Sequence, residues 1–310
     1  MISAITRRLS QALITSVLVV LVIFVLFSVI PGNFASSVAG DKRELDPQVK
    51  ARIEAQLHLD DPVHRRFTTY LTGLAHGDLG ISFSTRRPVS AMLAGRIEAS
   101  FRLACAAVIF AIVCGLPLGA LAALRHGGVI DTLAMTLAVT GLSTPAFWLG
   151  LLLMSCFSLY LGMFPTFGYG GGDVRHLALP AITLGLAPMA LLARTTRAAV
   201  LEVLGSDFIR TARSKGAPEW RIVSAHVARN AFVLVLTSIG LQFGSMLGGS
   251  VVVETLFAWP GVGSLLVQAV GLRDIPVVQG CILVSVGFFI AVNTLVDIAY
   301  LWIDPRMRPQ

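Results

Sequence analysis

Long uninterrupted runs of apolar residues are the main pattern along this chain. The first run extends from Leu13 to Ile30, follows Arg7 and Arg8, and ends at Pro31-Gly32. The other runs cover Leu103–Leu124, Leu133–Leu161, Leu177–Leu192, Phe232–Val253 and Val277–Trp302. Apolar runs of this kind form helices that cross about 30 Å of hydrocarbon. The pattern therefore predicts six transmembrane helices.

A cleaved signal peptide is the competing interpretation of the first run. The apolar core of such signals is usually about 7 to 15 residues long and precedes a cleavage site of small residues. The run from Leu13 to Ile30 exceeds that length, and no Ala-x-Ala-like site follows it directly. We therefore predict that this segment is a retained transmembrane helix.

Composition supports an all-α integral membrane protein. Hydrophobic residues make up 55% of the chain and charged residues 13%, and the mean hydropathy is +0.79. Soluble domains are on average about half apolar and about a quarter charged. The formal net charge of +7 raises the question of nucleic acid, but basic residues that orient membrane loops produce the same excess. No basic stripe alternates with stacking aromatic residues, so we expect no nucleic-acid partner.

The positions of lysine and arginine predict the orientation in the membrane. Short cytoplasmic loops carry an excess of these residues. With the N-terminus inside, the short outer loops contain Arg175 and Arg273. The cytoplasmic side then contains Arg7, Arg8, Arg125, Arg194, Arg197, Arg210, Arg213, Lys215, Arg221, Arg229, Arg306 and Arg308. We expect both termini in the cytoplasm and residues 31–97 outside it.

Residues 31–97 form a connection that is too long to be a simple turn. The segment is polar, and its stretch Pro47–Leu57 has apolar residues at a helical spacing. A solvated linker is the alternative, but five apolar residues favour a small folded insertion: Leu71, Leu74, Leu79, Ile81 and Phe83. We therefore divide the chain into residues 1–97 with the first helix and this insertion, a membrane core at 98–303, and a cytosolic tail at 304–310.

The inner connection, about residues 194–231, predicts two short helices separated by a glycine turn. Ser206 followed by Asp207 favours a helix start, and Gly216 favours the stop. A second helix is expected to begin at Pro218, because proline is favoured at the first helical position. The alternative is a basic helix that lies on anionic lipid. The glycine break and the mixed polar and apolar face favour an element that docks onto another protein.

The segment at residues 210–221 reads RTARSKGAPEWR. It resembles the EAA loop of permease subunits in binding-protein-dependent ABC importers, within the peptide/nickel branch. Further segments are similar to that branch: LHLDDP at 57–62, GDLGIS at 77–82, GLPLG at 115–119, VETLFAWPGVG at 253–263 and RDIPVVQG at 273–280. The similarity covers nearly the whole chain and is closest to the B-type subunit, which has a large loop after its first span.

The resemblance implies a type I ABC importer permease fold with a small extracytoplasmic insertion after the first helix. It also implies that the inner loop couples the permease to an ATPase subunit, through Asp207, Arg210, Thr211, Ala212, Arg213, Lys215, Gly216, Ala217, Glu219 and Arg221. One departure concerns the family's opening Glu-Ala-Ala, where this chain has Arg210, Thr211 and Ala212. Any function of the family's glutamate is therefore not transferred to this chain.

The resemblance further implies the function and the partners. The implied function is to form, with a second homologous permease, a path through the bilayer of the bacterial inner membrane for di- or oligopeptides. The implied partners are that permease, one or two ABC ATPase subunits and an extracytoplasmic substrate-binding protein. Nickel, glutathione and opines are alternative cargoes within the same branch. A secondary transporter driven by an ion gradient is the rival class, but the chain shows no convincing internal repeat.

The sequence does not predict chemistry in this chain itself. A phosphate-binding loop ends in Gly-Lys, and none of the three lysines follows a glycine. We therefore expect ATP and Mg to be bound by partner subunits and no cofactor, catalytic residue or metal ligand here. The four cysteines lie in apolar runs, where a free thiol behaves as a small hydrophobic group: Cys105, Cys114, Cys156 and Cys281.

Charged and polar residues in or beside the spans are candidate functional positions, because they are costly in a membrane. Four are candidates for the gate or the path, namely Glu254, Trp259, Asn293 and Asp297, and Arg102 and Arg194 lie at span edges. Asn293 and Asp297 are four residues apart on one helix face, where hydrogen bonding between helices is the favoured interpretation. Glu254 is expected to be either an interfacial anchor or part of an outer gate.

The topology is tested with single cysteines at two positions, Ser37→Cys and Gln310→Cys, in a variant without the native cysteines. An impermeant thiol reagent added to intact cells is expected to label the first and not the second, because the arginine distribution places them on opposite sides. Labelling of Gln310→Cys from outside would contradict the orientation.

Overall fold

The computed structural model of the chain describes residues 2–29 and 62–303, which form helices joined by loops and turns, with no strand among the described residues. The helices with thirteen residues or more are α1 (Ile2–Val29), α2 (Val63–Ala75), α3 (Val89–Leu124), α4 (Val129–Ser143), α6 (Val174–Leu204), α9 (Ala228–Leu256) and α11 (Ile275–Ile303). The shorter ones are α5 (Ala146–Leu153), α7 (Asp207–Ser214), α8 (Glu219–Arg221) and α10 (Val262–Gly271).

Most of the predicted spans correspond to long apolar helices. Within the described residues, four segments are long and apolar enough to cross a membrane: Ile5–Phe27, Val89–Leu124, Val174–Leu204 and Ile275–Ile298. They contain most of the first, second, fourth and sixth predicted runs, and α9 covers the fifth run with 29 residues. The helices are longer than the apolar runs, because they continue into the polar residues on either side of each run.

The third predicted span is not one straight helix. Its apolar run is divided between α4 and α5, which meet at an angle of 108°. Thr144 has extended backbone angles (φ −83°, ψ 122°) directly before Pro145. Proline disfavours the helical conformation of the preceding residue, which explains the break. A π-helical segment, Met154–Tyr160, continues α5 to the end of the run.

The predicted outer segment is folded where the structure describes it. α2 lies within it, and its Phe67 and Tyr70 rings pack on Phe24 of α1 at centroid distances of 5.2 and 5.8 Å. Burial raises the pKa of Tyr70 to about 12. α3 begins at Val89, so residues 89–97 belong to a long helix rather than to the insertion. The stretch Pro47–Leu57 and the tail at 304–310 lie outside the described residues.

α3 and α6 pack closely against each other. A Cβ on Gly115 would lie 2.8 Å from the carbonyl oxygen of Met189, and one on Gly185 would lie 2.7 Å from that of Ala107. Such positions accept glycine alone, because real Cβ atoms do not approach a backbone so closely. Small residues at membrane helix interfaces allow this close packing, so the GLPLG segment is an interface between two helices.

Three hydrophobic clusters run along the bundle. The central cluster joins Leu103 of α3, Leu179 of α6 and Trp259. The second surrounds Ile209 and Ile222 at the end of the bundle that carries residues 205–227, called here the 205–227 end. The third joins the start of α3 to α10 and α11 at the opposite end, called here the 62–88 end, through Val89, Leu93, Leu265, Val277 and Cys281.

The α3–α6 interface is tested by Gly119→Ala. The added methyl would lie against the carbonyl of Ala193 and 2.8 Å from Cβ of Thr196, so overpacking is expected to cost about 1–3 kcal/mol. Gly95→Ala in the same helix is the control, because its Cβ meets nothing within 4 Å and alanine favours a helix by about 1 kcal/mol. Melting temperatures of the solubilised protein measure both, and equal values would contradict the interface.

Candidate functional site

Residues 205–227 form two short helices that meet at a glycine turn. α7 begins after Ser206 and ends at Ser214, and Gly216 has φ +77°. Pro218 has extended angles and precedes α8, which continues through a π-helical segment, Ile222–Val227, into α9. Pro218 is therefore the residue before the helix rather than its first residue. The connection is also shorter than the predicted 194–231, because α6 extends to Leu204.

Buried residues and an ion pair hold this element on the bundle. The side chains of Ile209 and Ile222 are fully buried against Val200 and Val203 of α6. Across the glycine turn, Nε of Arg213 donates to Oε1 of Glu219 at 2.8 Å, and Nη2 donates to Oε2 at 3.3 Å. This hydrogen bonding raises the pKa of Arg213. The ion pair thus links the two helices across the turn.

The outer surface of the element combines exposed aromatic and basic side chains. Trp220 is 72% exposed and Phe208 is 47% exposed. Most of the residues predicted to form the coupling loop are also exposed, namely Asp207, Arg210, Thr211, Arg213, Lys215, Gly216, Glu219 and Arg221, whereas Ala212 and Ala217 are half-buried. Two large apolar side chains are thus exposed among the polar and basic residues of this surface.

Glu254 lies in the interior at the opposite end, and its carboxylate caps α10. Its Oε1 accepts hydrogen bonds from the hydroxyls of Ser100 (2.6 Å) and Ser250 (2.9 Å), and its Oε2 accepts from the backbone N–H of Ser264 (3.0 Å). The Ser100 hydroxyl oxygen also accepts from the N–H of Val262 at 2.8 Å. A carboxylate is stabilised at a helix N-terminus by unpaired amides and by the helix dipole. Glu254 is thus a buried junction between α3, α9 and α10 rather than an interfacial anchor.

Trp259 is a core residue of this conformation. Its side chain is 1% exposed, and its indole N–H donates to the carbonyl of Ala99 at 2.9 Å. The ring of Tyr169 meets the indole edge-on at a centroid distance of 4.8 Å. The preceding residue, Ala258, has φ +50°, so the turn that inserts the tryptophan is strained.

The other path candidates lie between helices or on the surface. Asp297 of α11 pairs with Arg8 of α1 at 3.0 Å, which agrees with the favoured interpretation of a contact between helices. Asn293 donates to the carbonyl of Phe289 in its own helix at 3.0 Å, so this hydrogen bond does not link two helices. Arg102 pairs with Glu98 at 3.1 Å, and Arg194 is exposed.

Asp131 is a buried residue that the sequence did not single out. Its Oδ1 accepts from Nε of Arg197 at 2.6 Å, and its Oδ2 accepts from Nη2 of Arg197 at 2.8 Å and from the N–H of Gly127 at 3.0 Å. His126 also lies 3.0 Å from Oδ2. This bidentate pair joins the start of α4 to α6 near the 205–227 end. Arg197 is one of the cytoplasmic charges predicted from the sequence, and no motif links Asp131 to Arg197.

Asp274 is a second buried carboxylate that sequence reasoning missed as a site. Its Oδ2 accepts from the hydroxyls of Ser82 (2.6 Å) and Ser84 (2.7 Å) and from the N–H of Ser84 (3.1 Å), while Oδ1 accepts from the N–H of Phe83 (3.1 Å). Burial alone raises the pKa of Asp274, but these hydrogen bonds outweigh it and lower the pKa. The carboxylate therefore stays ionised at neutral pH and fixes the loop before α3 to the turn before α11.

The described residues contain no group of three histidine, cysteine or carboxylate side chains that could hold a metal ion. Long apolar helices define a multi-pass membrane protein, and a helix–turn–helix with exposed aromatic and basic side chains lies at one end of it. Residues 115–309 match the family described as binding-protein-dependent transport system inner membrane component, and residues 1–104 match its N-terminal part. The chain belongs to this family of inner membrane transport components.

Curated relatives match the chain along its whole length. The glutathione transport system permease protein GsiC of Salmonella typhimurium is 43% identical over 308 residues, with 99% of both chains covered. The dipeptide transport system permease protein DppB of Escherichia coli is 39% identical over 337 aligned residues, again with 99% of both chains covered. These relatives are named as permease proteins.

Two solved structures share the fold. An inward-facing conformation of the MetNI methionine ABC transporter matches with a TM-score of 0.57 and 17% identity, covering 69% of this chain and 96% of that chain. An amino acid ABC transporter with histidines matches with a TM-score of 0.56 and 17% identity, covering 69% and 94%. At this identity the likeness establishes the fold of the membrane core and nothing about cargo.

The buried junction at Glu254 is tested by Glu254→Gln. Three donors meet the carboxylate, and an amide offers one acceptor oxygen, so the variant is expected to lose about 1–3 kcal/mol. Glu98→Gln is the control, because that carboxylate is 63% exposed and exposed ion pairs contribute about 0–1 kcal/mol. Thermal unfolding of the solubilised protein compares them. An unchanged melting temperature for Glu254→Gln would contradict the junction.

Proposed function

We propose that this chain is one of two permease subunits of an ATP-driven importer that carries small peptides across the bacterial inner membrane. The observation that carries the proposal is the helix–turn–helix at 205–227, whose exposed Phe208 and Trp220 offer apolar surface to a protein partner. The family and the named permease relatives support the same function. The energy comes from one or two ATPase subunits, which bind ATP and Mg, and a substrate-binding protein delivers the cargo.

The proposed cargo is a peptide of a few residues. Relatives named for glutathione transport are 43% identical and one named for dipeptide transport is 39% identical. Glutathione is itself a small peptide, so both names fit one class of cargo. Nickel and opines are less well supported, because neither occurs in the names of these relatives.

The proposed topology has six spans with both termini in the cytoplasm. α1, α3, α6 and α11 are four spans, and the bent pair α4–α5 is counted as one more. α9 has 29 residues, which at about 1.5 Å per residue is long enough to cross the hydrocarbon layer. The 205–227 end is then cytoplasmic and the 62–88 end extracytoplasmic.

The proposed mechanism transmits movement of the ATPases to the membrane core through α7 and α8. Ile209 and Ile222 are buried against α6, and Asp131 with Arg197 ties α6 to α4. α6 also packs closely on α3 through glycines. A displacement of the docked helices would therefore move α3, α4 and α6 together, and alternating closure of the two permeases opens the path to one side at a time.

The extracytoplasmic segment is proposed to contact the docked binding protein and to help the cargo leave it. A passive lid is the alternative, because exposed polar loops often stabilise helix ends and do no more. Complete replacement of the segment is a poor test, since Val89 and Leu93 lie in a buried cluster and Ser82 and Ser84 are bonded to Asp274. Point variants on its surface preserve these contacts.

The coupling function is tested by Gly216→Val in the reconstituted importer. Gly216 has φ +77°, and a β-branched residue is disfavoured there, which would distort the turn between α7 and α8. We expect insertion in the membrane and loss of uptake. Gly216→Asn is the matched control, because asparagine tolerates the left-handed conformation, and it should retain most of the activity. Uptake by Gly216→Val at the parental rate would contradict the coupling function.

A further inference from the structure

An arginine patch is built at the 62–88 end by two chain segments that Asp274 joins. The first segment is a short loop in which the N–H of Ser82 donates to the carbonyl of Arg87 at 3.0 Å, and the N–H of Arg86 donates to that of Ser82 at 3.0 Å. The second is the turn between α10 and α11, where Arg273 directly precedes Asp274. The carboxylate of Asp274 is bonded to residues 82–84, so Arg86, Arg87 and Arg273 arise from adjoining backbone.

The positive charges of this patch are not neutralised within the described part of the chain. Arg86, Arg87 and Arg273 are all exposed, and none of them forms an ion pair with a described residue. Asp274, the acidic residue beside them, is 2% exposed and accepts hydrogen bonds from the loop on both oxygens. By contrast, Arg102 at the same end pairs with Glu98. The three charges are therefore available to a partner other than the residues that the structure describes.

The backbone at two of the three arginines is strained. Arg86 has φ +58° and Arg273 has φ +54°, a region that side chains with a Cβ rarely adopt and that glycine adopts freely. An arginine at such a position lowers local stability relative to glycine. Strain of this kind is held by the surrounding structure and is concentrated at functional sites. Arg86 and Arg273 are for this reason candidate functional positions.

We propose that Arg86, Arg87 and Arg273 form the contact that receives an acidic surface of the substrate-binding protein. This inference rests on the proposed function, in which such a protein docks at this end. Cations that are carried on backbone held together by Asp274 fit carboxylates on a folded protein, because electrostatic complementarity directs association and sets orientation. Anionic lipid headgroups are the alternative partner. They are mobile and do not require a preorganised, strained geometry.

The test uses the complete importer in nanodiscs and its binding protein as isolated with bound cargo. The measured quantity is the binding-protein concentration that gives half-maximal stimulation of ATP hydrolysis. We expect Arg86→Glu and Arg273→Glu each to raise this concentration about tenfold at low salt, and less at high salt, because screening weakens charge contacts. Hydrolysis without binding protein should stay unchanged. Arg175→Glu is the control, an exposed arginine outside the patch.

A second variant, Arg86→Gly, separates docking from folding. Glycine removes the charge and also relieves the strain at φ +58°, so the melting temperature should rise or stay equal while docking weakens. Unchanged half-maximal concentrations in all patch variants would overturn the proposal. The proposal would also be overturned if the variants weakened docking only in nanodiscs that contain anionic lipid, because that result would indicate headgroup binding. If the parental importer is not stimulated by binding protein, the proposed function fails together with the patch.

Discussion

A carboxylate can be buried only where hydrogen-bond donors replace its hydration water. In the described part of this protein, carboxylates are buried in this way at three helix junctions. Glu254 joins α3, α9 and α10, Asp274 joins the loop before α3 to the turn before α11, and Asp131 joins α4 to α6. Apolar packing between membrane helices has little direction, since lipid is equally apolar. These carboxylates therefore determine how the helix ends are arranged at both ends of the bundle.

Much of the helical organisation could be predicted from the sequence, because long apolar runs and a glycine turn are local signals. The spans around α1, α6 and α11 and the left-handed turn at Gly216 are of this kind. The break at Pro145 was also a local signal, but hydropathy alone counts apolar residues and does not register a bend. The start of α3 at Val89 could not be predicted from the sequence, because the burial of its first residues depends on their packing against α10 and α11.

The residues of the candidate sites also divide into those that a local sequence signal predicts and those that it does not. The exposed residues of the 205–227 element form a contiguous motif, and the structure places them at one end of the bundle. The buried carboxylates depend on partners far away in the chain, as with Ser82 and Asp274 or Asp131 and Arg197. Such pairs share no spacing in a single sequence. Trp259 and Glu254 were noticed for their chemistry, but their burial places them in the core of this conformation.

The glycine interface between α3 and α6 has a consequence for biosynthesis. The two helices are separated in the chain by α4 and α5, so their contact cannot form until α6 has left the ribosome. During that interval the bent pair α4–α5 is already made, and Asp131 has no access to Arg197, which has yet to be synthesised. Asp131 therefore acquires its ion-pair partner only after α6 has been made, and the junction between α4 and α6 is completed late in synthesis.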